Sequence, residues 1–106
     1  MTYRIEYTKQ AQIDLDEIYR YIAFTLIAPD TAANKIRHIF ESIRTLDSLP
    51  LRNPLVDDSP WKERGLRKLY VKNYIVFYTT QDSAVRIIRV MYGGRNVADQ
   101  LKDAEE

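Results

Sequence analysis

Cysteine is absent from this 106-residue chain and histidine occurs once, as His38. The first absence excludes a disulfide framework, a thiolate nucleophile and every cysteine-based zinc or iron–sulfur site. The second leaves no histidine-rich metal cluster, so neither a metal nor a cofactor is expected. With only three Gly and four Pro, there is no phosphate-cradling loop of the G-x-x-x-x-G-K type and no G-x-G-x-x-G. A nucleophile-elbow serine is missing as well. No run approaches the ~18 consecutive apolar residues of a membrane-spanning helix. Arg4 and Glu6 interrupt the first residues, which is no secretory signal. What is present is 45% hydrophobic and 29% charged, an ordinary globular composition. One domain over residues 1–106, in the cytoplasm and away from membranes, is the expectation.

Tyr3, Ile5 and Tyr7 alternate with charged residues, the period of a half-buried strand. Thr8 is placed to cap a helix with the stripe Ala11, Leu15, Ile18, Ile22 and Leu26, opposite Gln12, Asp16 and Arg20. Pro29 suits the first turn of a second helix, whose stripe is Ala32, Ile36, Ile39, Ile43 and Leu46, thickened by Phe40. Two facing stripes predict an antiparallel helical hairpin. Breakers fill residues 47–65, which read as loop. Strands are then expected at Leu66–Val71, Tyr74–Thr80 and Ala84–Tyr92, joined by turn-length connections into a meander. Gly93-Gly94 ends it, and an acidic tail follows from about residue 96. The order β-α-α-β-β-β predicts an α+β fold, the helical hairpin packed on one face of a mostly antiparallel sheet.

Charge is uneven along the chain. Residues 1–61 hold 7 basic and 9 acidic side chains, for −2; residues 62–95 hold 8 and 2, for +6; residues 96–106 hold 1 and 4, for −3. The positive block suits a phosphate or an acidic partner. The sheet sequence also departs from simple alternation. Tyr74–Tyr78 and Val85–Tyr92 present bulky apolar side chains to both faces, whereas a sheet covered on one face should alternate. The second face calls for a partner, because large apolar patches rarely stay bare. The other reading is that loop 47–65, with Leu55 and Trp61, folds over it.

Few residues offer chemistry. His38 falls on the polar face of its helix with Asn34, Glu41 and Thr45, which favours a solvated imidazole over a catalytic one. Asp14, Asp16 and Glu17, and the pair Asp57-Asp58, could ligate a hard cation. Helix-terminal charge bias and loop solvation explain them more simply. Lys68, Lys72, Arg86, Arg89 and Arg95, with Tyr70, Tyr78 and Tyr92, could stabilise a phosphorane and move protons in a 2′-hydroxyl attack on RNA. They could equally bind an acidic protein.

Two strings carry a family resemblance. One is Asp14-Leu15-x-x-Ile18-x-x-Tyr21-Ile22 followed by Pro29, Ala32-Ala33, Ile43–Leu46 and Pro50. The other is Gly65-Leu66-Arg67-Lys68-Leu69-Tyr70-Val71-x-Asn73-Tyr74-x-Val76-Phe77-Tyr78, continued by Ile87–Arg95. In this order they resemble the RelE/ParE toxin superfamily over nearly the whole chain. The resemblance implies the toxin half of a type II toxin–antitoxin pair, of the plasmid stabilisation type, neutralised by a cognate antitoxin. RelE-like members cleave mRNA on the ribosome; ParE-like members poison DNA gyrase. Lys68 and Arg95 match basic positions of the superfamily. Ile75 stands where RelE-like enzymes carry an Arg, and Leu101 falls near their C-terminal Tyr. The resemblance therefore implies a ParE-like gyrase inhibitor. The alternatives are a ribosome-dependent mRNase and a non-toxic binding module on the same scaffold. The implied partner- or target-binding residues are Arg67, Lys68, Lys72, Ile75, Phe77, Arg89, Tyr92 and Arg95. In an mRNase, catalysis would fall to Lys68, Arg86, Tyr92 and Arg95.

Overall fold

A computed structural model describes residues 2–93 and Leu101. Its elements run β1 (Arg4–Tyr7), α1 (Lys9–Arg20), a π-helical turn (Tyr21–Thr25), α2 (Pro29–Arg44), β2 (Arg67–Val71), β3 (Tyr74–Gln81) and β4 (Ala84–Tyr92). The sheet order is β1-β4-β3-β2. β2, β3 and β4 form an antiparallel meander, and β1 adds in parallel along Ala84–Ile87 of β4. The parallel pair arises because the whole hairpin intervenes between β1 and the meander, as a crossover requires. The fold is α+β, a helical hairpin on a four-stranded mixed sheet.

Thr8 starts α1 as expected: its hydroxyl accepts the Ala11 amide at 3.1 Å and donates to the Ile88 carbonyl at 3.1 Å. The cap therefore ties helix entry to β4. Ala11, Leu15, Ile39, Ile43 and Leu46 are buried against Val71, Val76, Tyr78, Val85, Ile87 and Val90, which is the main core. Leu26 leaves the predicted stripe and is exposed, while Ala23 is buried in its stead. The cause is the π turn, in which the Leu26 amide donates to the Tyr21 carbonyl at 3.0 Å. That i→i+5 step adds a residue to the turn and rotates everything after it. Phe40 is likewise on the exposed side of α2 rather than in the core.

The second face of the sheet is covered in part by the chain itself. Val56, Leu66 and Leu101, with Trp61 partly buried beside them, pack on Ile75, Phe77, Ile88 and Met91. The loop thus takes up part of the apolar face for which a partner or the loop was expected, and leaves the rest open. Two backbone bonds hold the loop there, Val56 to Leu66 at 2.8 Å and Lys68 to the Pro54 carbonyl at 3.1 Å. The Tyr78 hydroxyl donates to the Pro50 carbonyl and accepts from Asn53 Nδ2 at 3.0 Å, pinning the loop's start to the main core. Apart from Leu101, the acidic tail lies outside the described residues.

Candidate functional site

Because β2 is the edge strand and the loop covers only part of the second face, a cleft of about 710 Å³ remains beside β2. Its floor is Ile75, Phe77 and Leu101, all buried. Lys68, Tyr70 and Lys72 of β2 and its turn form one wall, Val56, Asp57 and Asp58 a second, and Tyr92 with Gly93 the end. Lys68 Nζ lies 5.9 Å from the Tyr70 ring centroid, a cation–π distance. Tyr92 stacks edge-on against Tyr74, centroids 5.9 Å apart. Five of the expected residues, Lys68, Lys72, Ile75, Phe77 and Tyr92, therefore converge on one cleft.

Others do not. Arg67 points away, donating to the Leu51 and Asn53 carbonyls at 3.2 and 2.7 Å, so its guanidinium holds the loop. Arg86 sits beside Glu6 and Thr79 in the sheet and does not line the cleft. Arg89 is buried and faces α1, where Nε donates to Asp14 Oδ2 at 2.7 Å and Nη2 to Oδ1 at 3.0 Å. The β4 bulge explains its direction, since Ile88 has no partner between the pairs Tyr78–Ile87 and Phe77–Arg89. Arg89 is thus withdrawn from the surface on which the sequence reading put it. Arg95 lies outside the described residues.

Asp14 was legible neither as a cation ligand nor as helix-terminal bias, because the first turn of α1 carries no acidic residue. Besides Arg89, it accepts from the Val90 amide at 3.0 Å and from Gln10 Nε2 at 3.0 Å. β1 has ended by this stretch of β4, and the carboxylate takes the ladder amide a neighbouring strand would have taken. A signal did exist. Asp14 falls between Ala11, Leu15 and Ile18, on the apolar side of its helix. No group of three or more His, Asp or Glu side chains suited to a metal ion occurs among the described residues. His38 is exposed on α2.

Burial raises the phenol pKa of Tyr78 above its usual 10.0, against the opposing pull of the Asn53 hydrogen bond and Arg67. Burial does the same to Tyr74, helped by Tyr92 and Tyr21. Both therefore stay neutral near pH 7. Chemically, the cleft offers two ammonium groups on one wall, two carboxylates on another, two phenols and an apolar floor, a set suited to a polar partner surface that carries charges of both signs.

The sequence matches the family described as the ParE toxin of the type II toxin–antitoxin system parDE over residues 5–97, from β1 past the end of β4. The chain belongs to the ParE toxin family. It is thereby a type II toxin–antitoxin toxin of the ParE/RelE superfamily. Solved structures share the fold. A chain of the chromosomal ParDE system of P. aeruginosa superposes with a TM-score of 0.72 at 21% identity, covering 86% of this chain and 96% of that one. The toxin–antitoxin complex RelBE2 of Mycobacterium tuberculosis gives 0.63 at 21% identity, covering 87% and 92%. The archaeal RelE–RelB complex of Pyrococcus horikoshii gives 0.59 at 18% identity, covering 90% and 99%. No curated protein matches by sequence. In this ParE-family chain, the cleft sits at the open β2 edge of the meander, on the side of the sheet away from the helical hairpin.

Proposed function

We propose that this toxin inhibits DNA gyrase in the cytoplasm and is neutralised by a cognate antitoxin, without cutting RNA. The observation that carries the reading is the apolar floor of the cleft. Ile75 and Leu101 stand where the RelE-like pattern has an Arg and a Tyr, and both are buried, at 7% and 2% exposure. A side chain with neither charge nor transferable proton cannot stabilise a phosphorane or move a proton. Losing such groups typically costs ~10²–10⁴-fold each in rate. Lys68 and Lys72 at the rim remain suited to docking on an acidic protein surface. The antitoxin part of the reading draws support from the structural relatives, of which RelBE2 is a toxin–antitoxin complex and the archaeal RelE is bound to RelB.

The specific observation favouring an mRNase instead is the placement of Tyr92 and Lys68 on the same cleft. One experiment separates the two readings. The chain is induced without antitoxin, and gyrase-linked DNA breaks and translation-dependent mRNA cuts are scored together. DNA breaks with intact mRNA are the expected outcome. Prompt cleavage of ribosome-bound mRNA with intact chromosomes would overturn the proposal. Undisturbed growth with folded protein would leave a binding module.

A further inference from the structure

The far end of the helical hairpin is built inside out. Its own small core is Ile22, Ala23 and Ala32, while Tyr21, Phe24, Leu26 and Ile27 stand 56%, 67%, 55% and 83% exposed. Residues 21–29 contain no charged side chain. The backbone there is unusual too. After the π turn, the Ala28 amide donates to the Ile22 carbonyl at 3.0 Å, and Ile27 takes φ +53°. Helices that end on a left-handed residue usually place glycine there. For a β-branched side chain that conformation is a genuine outlier. An isoleucine so exposed adds almost nothing to this chain's own core, so the packing of one copy does not account for it.

We infer that this hairpin end is a self-association surface, occupied by the same end of a second copy about a twofold axis. Three observations choose that occupant. First, a twofold contact sets a patch against itself, so a patch of one charge sign would repel its own copy; residues 21–29 carry no charge, and the charged neighbours that share a groove with Tyr21 and Leu26 include both signs, Glu17 and Lys35. At its border, Arg20 is already paired with Asp16 at 2.8 Å. Second, the exposed side chains of residues 21–27 are aromatic and aliphatic, the composition of a protein interface core. Third, the size fits. Large side chains expose roughly 150–250 Å² each when free, so the four at these exposures supply on the order of 500 Å² per copy. Two copies then reach the ~1,000 Å² at which a specific interface begins. The cleft lies on the other side of the sheet from the helices, so pairing leaves it open.

The test is sedimentation of the full purified chain over concentrations from about 1 μM to 1 mM. The wild type should pass from monomer to dimer. Ile27→Gly removes the exposed side chain and relieves the left-handed backbone, so this variant should melt no lower than wild type. It should nevertheless raise the dimer dissociation constant about tenfold or more, and Phe24→Ser should do the same. A wild type that stays monomeric throughout would overturn the inference. So would variants that dimerise as well as wild type. Hairpin amides protected from exchange only when antitoxin is bound would overturn it in favour of the antitoxin as occupant.

Discussion

A single carboxylate, Asp14, holds both a buried guanidinium and a β4 amide. Asp14 is 5% exposed and its partner Arg89 is 8% exposed at the side chain. Such a pair adds modest net stability when intact, because both charges lose water, but removing one member strands the other. Asp14 also satisfies the Val90 amide where β4 has no neighbouring strand. Asp14→Ala should therefore cost about 3–5 kcal/mol in urea unfolding. Replacing both members, as Asp14→Leu with Arg89→Met, should recover a good part of that loss. A single-variant cost below ~0.5 kcal/mol would mean that water reaches the pair and the charges are not truly buried. The pair could be half-read from sequence, since Asp14 interrupts an apolar stripe. The partner's identity depends on a contact 75 residues away, which no periodicity encodes.

At the scale of elements, periodicity worked wherever packing is local. Leu15 and Ile43 lie on the predicted stripes and are buried in the main core, while Ile36 is only partly buried at its margin. Truncating Leu15 or Ile43 to Ala should cost roughly 2–5 kcal/mol, and Ile36 less. Chemical denaturation of the three variants ranks them. Equal, small losses at all three would show that the hairpin does not seal the core as described. The stripe failed at Leu26, because a π turn shifts the helical phase by one residue and leaves no compositional mark. The strands were legible within a residue or so, being short apolar runs between polar turns. What covers their second face was not. Val56, Leu66 and Leu101 come from a loop and a late segment, and their docking depends on tertiary contacts that strand patterning cannot report.

For the whole molecule, the question is what remains of the +6 segment once folding has used part of it. Arg67 anchors the loop and Arg89 is buried, which leaves Lys68 and Lys72, among the described residues, as the cations of that segment lining the cleft. The sequence charge sum therefore overstated the cations that reach the cleft, where Asp57 and Asp58 stand opposite them. Charges at an interface rim act mainly on encounter. Replacing both lysines by Glu should leave the fold intact, since surface changes of this kind usually stay within about ±0.5 kcal/mol. The change should slow association with an acidic partner, antitoxin or target, by about tenfold or more at low salt. Dissociation should change far less. As ionic strength rises, the screening length falls from ~30 Å at 0.01 M to ~3 Å at 1 M, so the two association rates should converge. Stopped-flow binding of the purified antitoxin across that salt range measures both limbs. A salt-independent deficit would instead mean that the lysines make close, desolvated contacts, moving them from steering to recognition. An unchanged association rate would remove the cleft from the docking surface altogether.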